Sequence, residues 1–295
     1  MTRPLRIAVG IATKGRPELL AHTLRHLAGQ QRPAERVLLC PAAPPDLPAA
    51  LPPGCEVVQG RVGSCAQRNA ILDALRGSDI DIVLFIDDDF FPQPDYLREL
   101  ERLMQLRVDA AIVRGELIAD GVHGPGYGVA EAEALLAADV RPAEPALRNC
   151  LGAYGCNFAA RLSVVHGIGV RFDEALPLYG WQEDIDFSRQ AAPYGAVLRS
   201  EALRGVHLGH KGGRTSGLRF GYSQMANPIY LVRKGTMPVA FARRLMSRNL
   251  VSNLARSLWS EGHVDRRGRL RGNLLALLDW LRGRVHPRRI LELGP

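Results

Sequence analysis

The chain has 295 residues, 46% of them apolar and 23% charged, a composition that excludes wholesale disorder. Its net charge of +8 lies entirely in residues 240–295, so a general nucleic-acid-binding surface is not expected. The five cysteines form no C-x-x-C pair, no export signal is visible, and no run of roughly 18 apolar residues occurs. We therefore expect a soluble, cytoplasmic protein.

Apolar runs and helical spacings alternate through the first half of the chain. Strands are predicted at residues 7–12, 37–39, 82–86 and 110–113. Helices are predicted after Pro17, from a cap at Ser64 to about residue 75, and from about residue 95 to 105. This alternation is typical of a parallel sheet with helices on both faces, as in Rossmann-like α/β folds.

The second half of the chain is less regular. Beyond Gly115 it is rich in glycine and proline, with helices predicted near residues 131–138 and 183–192. From Pro238 onward the chain is basic and helical in pattern. We expect a catalytic α/β domain over residues 1–237 and a basic helical appendage over residues 238–295.

Three adjacent carboxylates, Asp87, Asp88 and Asp89, directly follow the buried strand at residues 82–86. The carboxyl ends of such strands open into the ligand crevice, where a cation would neutralise the clustered charge. Oxygen ligands favour Mg²⁺ or Mn²⁺, which commonly complete their shells with substrate phosphates. The triplet therefore predicts a metal-bound diphosphate; the alternative is a solvated acidic turn that caps the next helix.

Four segments together resemble the family 2 glycosyltransferases of the GT-A fold. They are Thr13-Lys14-Gly15-Arg16-Pro17, Arg68-Asn69, the triplet Asp87 to Asp89, and Trp181-Gln182-Glu183-Asp184-Ile185-Asp186. The resemblance implies a GT-A Rossmann-like mixed sheet flanked by helices, with a C-terminal helical appendage. It also implies an inverting enzyme that moves a sugar from a nucleotide-diphosphate sugar to a hydroxyl acceptor, in polysaccharide or glycoconjugate synthesis.

The resemblance further implies roles for single residues. Asp184 would be the catalytic base, with Glu183 beside it. The divalent ion, Mn²⁺ or Mg²⁺, would be held by Asp87, Asp89 and either His207 or His210. The donor would be bound by Thr13, Arg16, Arg68, Asn69, Asp87, Asp88, Lys211 and Arg214. The acceptor, a saccharide or a lipid-linked sugar, would contact Trp181 and Asn157.

Residues 207–214 read as a Gly-rich mobile lid, in which Lys211 or Arg214, or Arg219 beyond it, would neutralise the departing diphosphate. A UDP-sugar is favoured as donor and a GDP-sugar stays open, because Cys40 and Pro41 stand where family members often have an acid for uracil.

The chemistry of sugar transfer supports the role of the Glu183-Asp184 pair. Inversion needs a carboxylate opposite the leaving group to accept the proton of the attacking hydroxyl. Both acids begin a predicted helix and point about 100° apart, so one of them faces the cleft. The alternative is a pair of first-turn acids favoured by the helix dipole.

Two other functions stay open on the sequence. A sugar nucleotidyltransferase is disfavoured because the loop after the first strand has only one glycine, Gly15. A non-catalytic nucleotide-sugar- or glycan-binding relative is disfavoured because Asp87, Asp89 and Asp184 are all present.

The basic tail has an amphipathic pattern. Its leucines 245, 250, 254 and 258 recur near helical spacing, while arginines 243, 244, 248 and 256 fall largely elsewhere. This pattern predicts peripheral attachment to an anionic membrane surface, at the inner face of the cell membrane. The alternative is a helix packed on the catalytic domain with a solvated basic face.

Overall fold

A computed structural model describes residues 3–210, 216–258, 262 and 264–294 of the chain. They form one mixed sheet with helices on both faces, followed by a helical C-terminal region. The strands are β1 (Ile7–Thr13), β2 (Arg36–Pro41), β3 (Cys55–Val57), β4 (Ile82–Ile86), β5 (Phe90–Pro92), β6 (Ala110–Asp120), β7 (Leu147–Asn149), β8 (Asn157–Arg161) and β9 (Ala196–His207). The helices are α1 (Pro17–Ala28), α2 (Ser64–Ala74), α3 (Tyr96–Leu106), α4 (Val129–Ala138), α5 (Leu162–Gly167), α6 (Glu183–Ala191), α7 (Gly217–Lys234), α8 (Val239–Arg256) and α9 (Arg266–Leu281).

The order of strands across the sheet is β3-β2-β1-β4-β8-β6-β9-β5, and β7 pairs with β9. Strands β1, β2, β3 and β4 pair in parallel, and β6 pairs in parallel with β9. Strand β8 lies antiparallel between β4 and β6, and β5 and β7 pair antiparallel with β9. The predicted α/β class with a mixed sheet is therefore confirmed.

Strand β4 shows that the sheet is covered on both faces. Val83 and Phe85 belong to one core with Phe187 of α6, whereas Leu84 belongs to a second core with Leu24 of α1. A strand buried on both faces is continuously apolar, as in parallel sheets of α/β proteins. The buried run therefore ends abruptly where the acidic triplet begins.

The predicted elements of the first half are present, with corrections at some ends. The strand predicted at residues 82–86 has those bounds, whereas β6 extends past residue 113 to Asp120. Ser64 is not the cap of α2, because Gly63 holds that position and no side chain caps the helix. The second half is less loop-like than predicted, because it contains β7, β8, β9 and the long helix α7.

Helix α7 joins the sheet to the C-terminal helices. Its Leu231 lies in the core beside the sheet, whereas Tyr222 and Met225 lie in a third core with Ala276 of α9. The helical region thus begins before residue 238, and the predicted domain boundary at residue 237 stays a prediction. None of the described helices is both long and apolar enough to cross a membrane.

Close packing of α7 on α9 depends on glycine. A β-carbon on Gly272 would lie 2.2 Å from the carbonyl oxygen of Leu218 and 2.5 Å from the backbone nitrogen of Tyr222. We expect Gly272→Ala to lower the free energy of unfolding by about 1–3 kcal/mol, because backbone atoms cannot move aside. Chemical denaturation measures this change.

The matched control is Gly167→Ala at the end of α5, where an added β-carbon meets none of the described residues within 4 Å. Its stability should stay equal or rise slightly, since alanine favours helix. Equal stability of the two variants would contradict the close approach of α7 and α9.

Candidate functional site

The acidic triplet lies where β4 ends, beside the end of β1. Asp88 and Asp89 are fully buried, while Asp87 is partly exposed. The hydroxyl of Thr13, the last residue of β1, donates to the Asp88 carboxylate at 2.7 Å. Thr23 of α1 donates to the Asp88 carbonyl oxygen at 2.8 Å. These bonds fix the backbone of the triplet at the carboxyl edge of the sheet.

Arg16 neutralises part of the triplet. Its guanidinium lies 2.5 Å from Asp88 and 3.0 Å from Asp89. Burial raises the pKa of Asp88 above its usual range, against the attraction of Arg16. Burial acts the same way on Asp89, but His207, Arg16 and the backbone N–H of His210 outweigh it and hold its pKa well below the usual range. These contacts favour the ionised form of Asp89 in spite of its burial.

His207, at the end of β9, lies beside two of the three carboxylates of the triplet. Its Nε2 lies 3.5 Å from Asp89 Oδ1 and 3.8 Å from Asp87 Oδ2. Ligand atoms of these three residues all lie within 4.8 Å of one another. On the other side of the ring, Nδ1 lies 2.9 Å from Asp120, which also accepts a bond from the Tyr154 hydroxyl at 2.7 Å.

This group fits a divalent cation. Asp89 Oδ1 is buried and has no hydrogen-bond partner among the described residues, although buried polar atoms are nearly always paired. The contact of Nδ1 with Asp120 directs Nε2 toward Asp87 and Asp89, the arrangement that orients histidine ligands in metal sites. A bound cation would displace the Nε2 proton that the surrounding carboxylates favour. Two carboxylates and one imidazole can therefore converge on one ion.

Arg68 connects the triplet to the second acidic pair. It is almost fully buried in α2, and its guanidinium bonds Glu183 at 2.5 Å, Asp87 at 3.1 Å and the Gly155 carbonyl at 2.8 Å. It also lies over the ring of Phe172, 5.5 Å from the centroid. Arg68 thus holds two acidic groups from distant parts of the sequence in one cleft.

The Glu183-Asp184 pair begins α6 and is buried. Asp184 accepts backbone N–H bonds from Gly155 at 2.9 Å and Ile185 at 2.8 Å. Burial raises the pKa of Asp184. Burial and the neighbouring Asp184 charge likewise raise the pKa of Glu183, against the attraction of Arg68. The two acids differ in their partners. Glu183 pairs with the guanidinium of Arg68, whereas Asp184 accepts hydrogen bonds from backbone amides.

The loop before α6 has an unusual backbone. Leu178, Gly180 and Gln182 have left-handed φ values of 60°, 67° and 75°. Only glycine adopts this region without strain. Gln182 directly precedes Glu183, so the turn that delivers the acidic pair is held in a costly conformation.

Three predicted contact residues have defined structural partners. The Asn69 side chain bonds the backbone N–H and carbonyl of Phe172 and the Glu174 carboxylate, so its amide braces that segment. Asn157 is fully buried and pairs with the last residue of β4. The Trp181 ring packs edge-on against Phe220 of α7 at 5.9 Å.

The predicted lid needs correction. His207 ends the twelve-residue strand β9 and is not in a loop. His210 is exposed, and its backbone N–H, not its ring, contacts Asp89 at 2.8 Å. Lys211 and Arg214 lie outside the described residues. Arg219 donates twice to the Leu293 carbonyl, at 3.0 and 2.7 Å, and so contacts the C-terminal segment.

Three residues near the site were not found from sequence. Asp120 is the last residue of β6. Because the predicted strand ended at residue 113, nothing in the sequence indicated that Asp120 lies at the carboxyl edge of the sheet. Tyr154 does not belong to any sequence motif that would indicate a role in the site. Tyr179 has 56% of its surface exposed, yet burial of its hydroxyl and the charges of Asp87 and Glu183 raise its pKa.

No protein-family model matches the sequence, and no curated protein sequence matches it. Solved structures do match the fold. S. aureus TarS 1-349 aligns with a TM-score of 0.56 and 13% identity, over 97% of this chain and 82% of TarS. Its complex with UDP-GlcNAc gives 0.57 and 14%, over 97% and 83%. GalNAc-T7 with UDP, GalNAc and Mn²⁺ gives 0.50 and 13%, over 70% and 44%. The chain has the GT-A-like glycosyltransferase fold.

The contact between Asp120 and His207 generates a prediction on metal affinity. Asp120→Ala should weaken Mn²⁺ binding about 10- to 100-fold, because the imidazole loses the partner that orients it. Isothermal titration with Mn²⁺ measures the change. Asp109→Ala, at an exposed carboxylate paired with Arg107, is the control and should bind normally. Unchanged affinity in Asp120→Ala would exclude His207 as a ligand held in this way.

Proposed function

We propose that this chain is a cytoplasmic, metal-dependent glycosyltransferase that moves a sugar from a UDP-sugar to a hydroxyl acceptor with inversion. The observation that carries the proposal is that Arg68 ties the metal-binding group of Asp87, Asp89 and His207 to the buried acids Glu183 and Asp184. A leaving diphosphate and an attacking hydroxyl need these two groups side by side. The acceptor is a saccharide or a lipid-linked sugar of polysaccharide or glycoconjugate synthesis.

The donor side of the proposal is supported by the shared fold. TarS has been solved with UDP-GlcNAc and with UDP, and GalNAc-T7 with UDP, GalNAc and Mn²⁺. In this chain Asp87, Asp89 and His207 would hold Mn²⁺ or Mg²⁺, and the bound ion would supply charge neutralisation for the diphosphate. Thr13 and Arg16 contribute by fixing Asp88 and Asp89, and Arg68 by fixing Asp87.

On the acceptor side, we assign the base to Asp184. The acceptor oxygen attacks the anomeric carbon from the face opposite the diphosphate, the bond from that carbon to the diphosphate oxygen breaks, and Asp184 takes the hydroxyl proton. Its carboxylate is oriented by two backbone amides, and burial raises its pKa toward the working range of a base. Glu183 pairs with Arg68 and so holds the guanidinium between the acidic triplet and the start of α6.

A donor panel tests the proposed function. We expect release of UDP from a UDP-sugar with Mn²⁺ and an acceptor, and loss of release with a chelator. Asp89→Ala should lose metal-dependent donor binding in calorimetry, because the diphosphate then meets repelling carboxylates. Donor binding without turnover on any acceptor would indicate a non-catalytic relative. Equal donor affinity in Asp89→Ala, with and without Mn²⁺, would remove the triplet from the site.

Exchange of each acid for its amide tests the base. Asp184→Asn should keep donor binding but lose turnover on the order of 100-fold or more, because an amide cannot accept the proton. Glu183→Gln is the matched comparison and should retain more activity. A crippled Glu183→Gln beside a normal Asp184→Asn would reverse the assignment.

The pH profile gives a second readout of Asp184. A base acts when deprotonated, and the pKa of Asp184 is raised, so kcat/KM should fall on acidification at a higher pH than the roughly 3.9 of a free aspartate. Asp184→Asn should remove this acidic limb from its residual activity.

A further inference from the structure

The two C-terminal helices keep large apolar side chains in solvent. On α8 and just after it, Val251, Leu254 and Leu258 are 64%, 58% and 76% exposed. On α9, Leu274, Leu278 and Leu281 are 54%, 41% and 76% exposed. Their spacing confines each set to an arc of about 60° on its helix. Each helix therefore presents an apolar stripe to solvent, and the exposed Val239 of α8 and Trp280 of α9 lie outside these arcs.

These stripes are not needed to hold the helices together. Helix α9 buries Gly272, Asn273 and Ala276, and α8 buries Ala242 and Asn253. The side chain of Asn253 donates to Asn273 at 2.8 Å, in a buried contact between the two helices. The exposed apolar residues take no part in that buried contact. Leu250, by contrast, is partly buried against the third core, so only part of the predicted leucine pattern faces solvent.

Exposed arginines flank both stripes. By helical spacing Arg267 falls within the arc on α9, and the others lie about 20–60° beyond the arcs; they are Arg244 and Arg248 on α8, and Arg271 and Arg282 on or just after α9. The sequence of α8 contains no acidic residue, and that of α9 contains only Asp279. Asp279 is buried and bonded to Tyr222 and Arg284. Nothing acidic on these helices offsets the exposed positive charge.

We propose that this basic apolar face, formed by the stripes and their flanking arginines, docks on an anionic lipid surface. Leucine and valine side chains can enter the boundary of the acyl chains while guanidinium groups bind lipid phosphates. A second copy of the chain is a poor occupant, because two such faces would bring like charges together without acids to pair them. Nucleic acid would leave the apolar side chains without a partner.

Helix α7 links this face to the site. Its Phe220 contacts Trp181 in the loop before the acidic pair, while the adjacent Gly221 lies against the backbone of α9. Docking would therefore hold the domain that carries the cleft at the lipid surface, which suits a lipid-linked acceptor. This last consequence rests on the proposed function; docking itself does not.

Vesicle binding by the full chain tests the proposal. We expect the protein to sediment with vesicles of phosphatidylcholine mixed with phosphatidylglycerol, and high salt to weaken the binding. Arg248→Gln with Arg271→Gln should weaken it about 30-fold, since each arginine near such a surface contributes about fivefold. Leu254→Ser with Leu278→Ser should weaken it on the order of tenfold.

The matched controls lie on α3, where the Arg102 side chain is 72% exposed and Leu106 is 70% exposed. Arg102→Gln and Leu106→Ser should bind vesicles like the unchanged protein, and circular dichroism should show all variants folded. Equal binding to pure phosphatidylcholine, no binding to the anionic vesicles, or unchanged binding in the face variants would overturn the proposal. A face variant that changes the oligomeric mass in ultracentrifugation but leaves vesicle binding unchanged would also overturn the proposal. Because no readout uses sugar transfer, the inference can fail while the proposed function stands.

Discussion

The site depends on how the protein holds many carboxylates together out of water. Asp87, Asp88, Asp89, Glu183 and Asp184 share one cleft, and four of them are buried. Burying a charge without a partner costs several kcal/mol, so the cluster persists only through its cations and hydrogen bonds. Two arginines meet that need. Arg16 comes from the start of α1 and Arg68 from α2, and each bridges two acids. The arginines thereby fix the distance between the triplet and α6.

The cleft also holds an excess of negative charge. The two arginines leave the acids in excess. Burial raises the pKa of Asp88, Glu183 and Asp184, and repulsion from neighbouring acids adds to it for Asp88 and Glu183. A divalent ion at Asp87, Asp89 and His207 would relieve that repulsion on one side. On the other side, burial favours the protonated form of Asp184. In the proposed reaction, the first effect would serve the leaving group and the second the acceptor.

Sequence reasoning succeeded where burial makes a simple pattern. Strand β4 is apolar throughout because both faces are covered, and the break at Asp87 was therefore visible. Strand β9 was missed because Arg199, Ser200 and Glu201 interrupt its apolar pattern, and its pairing with β6 shifts register at the same place. Helix α7 was missed because it contains Pro228 and opens with glycine. The contact of Asp120 with His207 depends on two strand ends meeting, which no local pattern encodes.

The left-handed residues before α6 have a consequence for attempts to make this protein more heat-resistant. Leu178 and Gln182 each hold a conformation that costs an ordinary side chain about 1 kcal/mol or more. Gln182→Gly would remove that strain, and a screen for melting temperature would favour it. Leu178→Gly would also remove a side chain that packs against the third core. Yet the same loop sets the direction in which Glu183 and Asp184 enter the cleft. Selection for melting temperature alone would thus loosen the turn that orients the acid proposed as the base, the usual conflict between stability and activity.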